Sequence, residues 1–468
     1  MGLNRHKDLN QNALVDSYDK AITYQELIDF SEKEIHLLFS KRSVVFLISN
    51  NEVGSAAFYY ACVANKIVPL IIGVDINEQQ FLKLKETYQP QYICYPTRFK
   101  QKWGSLSGDL IMNSFGIDVC KTNHKPYPID SDLALLLSTS GSTGSPKLVR
   151  HSYENIEANA KNVAKVFDVN NQHRPILFLP LQYTMGLSVL TSHLFSRATI
   201  FLTDLGLTDK KFWSYLEASK ITNFTGVPFS FDILNKLRFF KKNKYPNLKI
   251  ISQGGGKLDE ELFKTIAKFC NSNNISFVPT YGQTEGTARM CYLSSENTLN
   301  KICSIGKPIP QGEAYLIDDK NQMINQPNQA GELVYKGPNV TLGYAENKID
   351  LSKEDEFKGR LYTGDIAKKD EDGFLFIIGR KKRFLKLYGL RISLDIVEHA
   401  IKNNFQTDVH CNGDDKQLRV IITDENLKEE IKNFILEFTN LYHKAISVKF
   451  RQEIPRTKSG KVRFENGV

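Results

Sequence analysis

A layered α/β protein with a small C-terminal lid is the fold class that this sequence predicts, and three observations predict it. Through the first half, short apolar, β-rich runs alternate with helix-like stretches, the mark of βαβ units. From about residue 304 to 378 the pattern changes to closely spaced strands separated by Gly, Asp and Asn turns, which reads as a β-rich subdomain. After a strongly charged segment at residues 380–386, a short α+β pattern runs to the end. The expected division is a large body at residues 1–379 and a lid at residues 380–468, hinged near Lys382.

The elements follow in order. Strands are expected at residues 43–48 and 68–72, with a helix at 52–65 between them. Further strands are expected at 176–179, 199–202 and 249–252. The β-rich part is read from strands at 313–317, 331–335 and 374–378, with residues 370–373 (Asp-Glu-Asp-Gly) as a plain hairpin turn. In the lid, helices are expected at 394–403 and 426–442 and strands at 418–423 and 446–451. No internal repeat or low-complexity segment interrupts this pattern.

The bulk composition excludes several classes. A chain of 468 residues with 41% hydrophobic and 24% charged residues is an ordinary globular one, long enough to need more than one core. The first twelve residues are polar and mixed in charge, unlike a signal peptide. No run approaches the ~20 apolar residues of a membrane span. The seven cysteines are odd in number, scattered and never in a CxxC pair, which favours reduced thiols over a disulfide framework or zinc site. A cytoplasmic enzyme is the resulting expectation. The formal charge of +9 suits anionic ligands; of its two basic clusters, the one at residues 238–244 reads first as solvated surface, and the one at 380–386 falls at the expected hinge. No aromatic-interleaved basic stripe points to nucleic acid.

The strongest chemical signal is residues 136–147, Leu-Leu-Ser-Thr-Ser-Gly-Ser-Thr-Gly-Ser-Pro-Lys. An apolar strand runs into small hydroxyl and glycine residues and then a lysine. Gly141 and Gly144 let the backbone come close to a ligand, so that successive N–H groups face phosphate oxygens. Thr139, Ser140, Ser142 and Thr143 add hydroxyls, and Lys147 adds a point charge. The spacing differs from GxxxxGK[ST], since the lysine comes three residues after the second glycine. A serine–glycine linker would lack the apolar strand before it and the Ala/Val-rich helix after it.

With that loop, the chain resembles the adenylate-forming superfamily: acyl- and aryl-CoA synthetases, the adenylation domains of nonribosomal peptide synthetases, and firefly luciferase. The resemblance runs along nearly the whole chain and rests on further motifs in order. In Tyr281-Gly282-Gln283-Thr284-Glu285-Gly286 it implies that Tyr281 stacks on adenine, Thr284 contacts the α-phosphate and Glu285 holds Mg²⁺. A hard oxygen ligand beside phosphates suits that ion. Gly254, Gly255 and Gly256 correspond to the small-residue wall between adenine and the acyl pocket. Asp365, in Leu-Tyr-Thr-Gly-Asp, matches the residue that accepts both ribose hydroxyls, and Arg380 adds a second ribose contact. Residues 331–334 and Gly337-Pro338 match a motif read as structural, with no chemistry assigned.

The resemblance also implies a mobile lid with two settings. Lys461, in Pro-Arg-Thr-Lys-Ser-Gly-Lys, corresponds to the lysine that bridges carboxylate and phosphate while acyl-AMP forms; a cation between two anions steadies that transition state. The hinge residue is Lys382. Rotation would then bring residues 385–392, with Gly389 and Lys386, beside the tunnel for a thiol arm. A plain hairpin is the bland reading of the same stretch.

The acid pocket is expected to involve Tyr183, Gly186, Gly226 and Gly286. Residues 184–186 offer no carboxylate for an α-ammonium, which disfavours an amino acid. A small to medium acyl, hydroxyacyl or aryl acid fits better, with Gly286, Thr287 and Ala288 leaving uncharged space. The implied cofactors are ATP, Mg²⁺ and coenzyme A, or a phosphopantetheine carrier protein in its place. An amine acceptor is a rival within enzymes; a non-catalytic nucleotide-binding regulator would be expected to have lost Glu285 or Lys461.

Overall fold

A computed structural model describes residues 9–39, 41–138, 147–241, 244–387, 390–414, 416–439, 441–455 and 462. The chain forms two compact units: residues 1–313 with 335–361, and residues 314–334 with 362–468.

The larger unit is built on two sheets. In the eight-stranded one, Leu133–Ser138, Val68–Gly73, Val44–Ser49 and Tyr92–Pro96 lie side by side and parallel. All six residues of Val44–Ser49 are buried. Val45 and Leu47 face one apolar core while Val44, Phe46 and Ile48 face another, which is why this strand reads as an unbroken apolar run. The nine-stranded sheet has a parallel centre in the order Ser276–Tyr281, Ile250–Gln253, Asn223–Gly226, Pro175–Leu177, Ile200–Leu202 and Asn12–Asp16. One core combines Leu14, Leu177, Ile200 and Leu202 of this sheet with Val45, Leu47, Leu135 and Leu137 of the other, and with helices Val53–Ala64 and Thr184–Phe195. These helices are the middle layer, so they are apolar on nearly every face.

The smaller unit carries a five-stranded sheet, in which residues 370–373 form the expected turn between Arg360–Lys369 and Leu375–Arg380. Its C-terminal part has its own core, where helices Leu394–Phe405 and Lys428–Thr439 pack on strands Val409–Gly413, Leu418–Ile422 and Ile446–Phe450. Phe384–Leu387 pairs antiparallel with Leu390–Ser393. The layered α/β class with a β-rich part and an α+β end is therefore as expected. One expectation needs correcting: the helix Tyr153–Val166 does not follow the Ser/Gly segment directly. Strand Leu148–Ser152 intervenes and pairs antiparallel with Leu133–Ser138.

Glu52, just before helix Val53–Ala64, supplies a pH test of this core. Burial pushes its carboxyl up to about 7, against the opposing Arg98 guanidinium 3.3 Å away, and with Asp16 and Asp204 adding to the rise. The folded state thus holds a proton that the unfolded chain releases nearer pH 4.5, so stability falls as pH rises from about 4.5 to 7. Glu52→Gln is expected to remove that slope, worth about 2 kcal/mol between the two ends of the window. Urea melts of both proteins at pH 5 and pH 8 measure it.

Candidate active site

Four of the singled-out segments follow the carboxyl ends of neighbouring parallel strands in the nine-stranded sheet. Residues 179–186 follow Pro175–Leu177, Gly226 closes Asn223–Gly226, Gly254 to Gly256 follow Ile250–Gln253, and Tyr281 ends Ser276–Tyr281. Such an edge is where open α/β sheets bind ligands.

Glu285 sits in a single helical turn, Thr284–Gly286. The backbone folds back so tightly that a Cβ at Gly282 would lie 1.5 Å from the Ala288 carbonyl oxygen, so Gly282 serves the turn. Thr287 and Ala288 follow at φ 50° and 74°, a left-handed conformation that a β-branched residue rarely adopts. Residues 337–344 hold this turn in place. Asn339 Nδ2 donates to the Gly286 carbonyl at 2.8 Å, the Thr341 amide donates to the Glu285 carbonyl at 3.0 Å, and Tyr344 Oη donates to Glu285 Oε1 at 2.9 Å. The stretch just after Gly337-Pro338 therefore grips the acidic turn. Burial, followed by the Glu285 charge and hydrogen bond, pushes the Tyr344 phenol up, so it remains a donor.

Lys147 is drawn into the same group. Its Nζ lies 3.6 Å from the centre of the Tyr344 ring, a cation–π contact. Strand Gly343–Ala345 pairs with Leu148–Ser152 in the register Tyr344↔Val149, and this places the tyrosine beside the end of the Ser/Gly segment. Thr139, Ser140, Gly141, Ser142, Thr143 and Gly144 lie outside the described residues, as do Gly389 and Lys461. Lys382 falls in the turn Lys381–Arg383 and Lys386 in strand Phe384–Leu387.

At the glycines expected on the acid side, protein fills the space. A Cβ at Gly254 would meet Met185 Cε at 2.2 Å, and one at Gly286 would meet Met290 Sδ at 2.4 Å. Gly186 packs against the carbonyl oxygens of Leu179 and Pro180, and Gly226 lies against Phe231 and Phe224. The uncharged space expected beside Gly286 is thus occupied by a methionine. Tyr183 precedes helix Thr184–Phe195, and Gly255 takes φ 79°.

Asp365 and Arg380 belong to the smaller unit, where they meet: Arg380 Nε donates to Asp365 Oδ1 at 3.0 Å, and Asp365 is almost wholly buried. Of the basic cluster at 380–386, Lys381 also pairs with Glu332, and Arg383 pairs with Asp395 and Glu398. Three cations of this cluster thus have carboxylate partners. Tyr344, Asn339 and His151 had drawn no attention in the sequence.

One side chain here tests the geometry. Tyr344→Phe keeps the ring under Lys147 and loses only the bond to Glu285. It is expected to raise the KM for Mg·ATP about tenfold, the worth of one hydrogen bond to a charged group, in an ATP–pyrophosphate exchange assay.

A family model described as AMP-binding enzyme matches residues 4–345. This chain belongs to that family, the adenylate-forming enzymes. It is 28% identical over 466 residues to the 2-succinylbenzoate–CoA ligase of Listeria monocytogenes, covering 95% of this chain and 93% of that protein. It is 28% identical over 347 residues to the oxalate–CoA ligase of Saccharomyces cerevisiae, covering 71% of this chain and 62% of the yeast protein. Among solved structures, the fold matches O-succinylbenzoate coenzyme A synthetase from Bacillus subtilis in complex with ATP and magnesium ion. There the TM-score is 0.75 at 21% identity, over 97% of this chain and 95% of that one.

Proposed function

We propose that this protein is an ATP-dependent acid–thiol ligase. It activates a small carboxylic acid as acyl-AMP, releasing pyrophosphate, and passes the acyl group to the thiol of coenzyme A. The contact chain Lys147–Tyr344–Glu285 carries the reading, because it sets the end of a phosphate-type loop against an acidic turn. The names of the relatives, both coenzyme A ligases, support the same acceptor.

The roles follow from charge. The substrate carboxylate attacks the α-phosphorus, its oxygen–phosphorus bond forms, and pyrophosphate leaves. Lys147 and the backbone of residues 139–144 take the phosphates, Thr284 the α-phosphate, and Tyr281 the adenine face. Asp365 and Arg380 take the ribose, so Asp365 would exchange part of its bond to Arg380 for the sugar hydroxyls. A carboxylate already holding one donor, as Glu285 holds Tyr344, still has lone pairs to offer a cation. Among the described residues no group of three His, Cys, Asp or Glu could hold a metal. That suits Mg²⁺, which is commonly held by one or two carboxylates and the substrate's phosphates. When bound, it offsets the phosphate charge. Lys461 then bridges carboxylate and phosphate, and residues 385–392 with Lys386 and Gly389 serve the thiol step after Lys382 has turned.

The described residues on the acid side carry no charge, which favours a small to medium acyl or aryl acid, and the setting we infer is cytoplasmic. No helix among the described residues is long and apolar enough to cross a membrane. The deciding experiment is acid-dependent ATP–pyrophosphate exchange over a panel of carboxylic acids, with products analysed in the presence of coenzyme A, a phosphopantetheine carrier protein or an amine. An acyl-CoA product supports the reading; exchange with no acid at all defeats it.

A further inference from the structure

A buried cavity of about 20 Å³ lies among strands Leu133–Ser138 and Leu148–Ser152 and helices Tyr153–Val166 and Thr184–Phe195. Thr184 and Thr287, the chain neighbours of Tyr183 and Gly286, line it as well. Leu135, Leu137 and Leu187 give it apolar walls, while Tyr59, His151 and Ser188 bring polar groups. Tyr59 Oη, His151 Nε2 and Ser188 Oγ are shut off from solvent and have no hydrogen-bond partner among the described residues. A buried polar group left so is costly, and three around one space point to something that satisfies them together.

Counting protons fixes what that is. Thr287 has one hydroxyl proton and donates it to the Asn339 carbonyl at 2.8 Å. His151 Nδ1 lies 3.2 Å from the same hydroxyl oxygen, so the imidazole must be the donor there. A neutral ring with its proton on Nδ1 presents a lone pair at Nε2, and complete burial holds this histidine down to about 3. The other two groups are hydroxyls, free to donate. One acceptor and two donors are the complement of a water molecule, which needs about 10–15 Å³.

The histidine also has something to hold. Thr287 at φ 50° and Ala288 at φ 74° follow closely after Glu285. Such conformations are strained and persist where their surroundings over-determine them. The Thr287 hydroxyl is clamped from both sides, by the Asn339 carbonyl and by His151.

We propose that one buried water, bound by Tyr59 Oη, Ser188 Oγ and His151 Nε2, fixes His151 as the Nδ1–H tautomer. His151 is thereby a positioning residue for the Glu285 turn. This rests on the reading of Glu285 as the carboxylate that holds the metal of Mg·ATP.

Three measurements test it. A high-resolution crystal structure of the whole chain should show a water within hydrogen-bond distance of all three atoms; a dry cavity overturns the proposal. Nitrogen-15 spectra of histidine-labelled protein, with the resonance assigned by its loss in His151→Asn, should show the proton on Nδ1. A proton on Nε2 overturns it equally. In exchange assays, His151→Leu should raise the Mg²⁺ concentration for half-maximal rate by about 10–100-fold, as loss of an outer support does, and leave the KM for the acid unchanged. His151→Asn, which keeps a donor where Nδ1 stood, should recover most of that loss. Equal losses in both variants, or a loss confined to the acid KM, overturn the positioning role. If the unaltered protein shows no acid-dependent exchange, the reading of Glu285 has failed, and the water and tautomer results still decide the rest.

Discussion

Glu285→Gln is expected to slow acid-dependent ATP–pyrophosphate exchange by about 10²–10³-fold, the loss that follows removal of one strong electrostatic contact to a developing transition state. The substitution keeps the shape of the turn, and its amide oxygen can still accept from Tyr344 Oη. What disappears is the negative charge, and with it a hard ligand for a cation among phosphates. Raising Mg²⁺ should recover part of the rate, whereas raising the acid should not. Because the backbone contacts from Asn339 and Thr341 remain, thermal unfolding should be nearly unchanged. A variant with full activity would remove Glu285 from the mechanism; a variant that fails to fold would show the residue to be part of the scaffold.

Lys461→Ala is expected to cost about 10²–10³-fold in the adenylation half-reaction and much less in thioester formation from supplied acyl-AMP. The asymmetry is the diagnostic part. A lysine that bridges two anions acts only while both are present, so once pyrophosphate has left, the second step should run without it. Rapid-quench measurement of acyl-AMP formation, set beside acyl-CoA formation from synthetic acyl-AMP, separates the two. Equal losses in both would point to a general defect of the C-terminal segment.

The sequence was most informative where chemistry and structure demand the same residue types within a few positions. Residues 281–286 are legible because a turn this tight needs Gly282 and the site needs a carboxylate. Strand Val44–Ser49 is legible because both of its faces are buried. Strand Asp109–Ser114 escaped notice for the opposite reason: it is largely exposed and held by its pairing with Ile117–Lys121, so no apolar pattern marks it. The supports of the Glu285 turn were hidden by distance along the chain. Tyr344 reaches Lys147 only because Gly343–Ala345 pairs with Leu148–Ser152, and His151 reaches Thr287 across 136 positions. Such partners depend on the finished sheet, and no local spacing announces them. Met290 beside Gly286 was missed similarly, since a glycine announces room without saying what fills it.

If the acid sits as proposed, the two methionines beside Gly254 and Gly286 bear on selectivity. Thioether side chains are unbranched and turn about three bonds, so Met185 and Met290 can re-seat around acids of different girth. Discrimination among homologous acids should therefore be graded, with each methylene altering kcat/KM by a modest factor. A sharp cut-off at one chain length would need rigid, branched walls, whereas the side chains nearest Gly254 and Gly286 are these methionines.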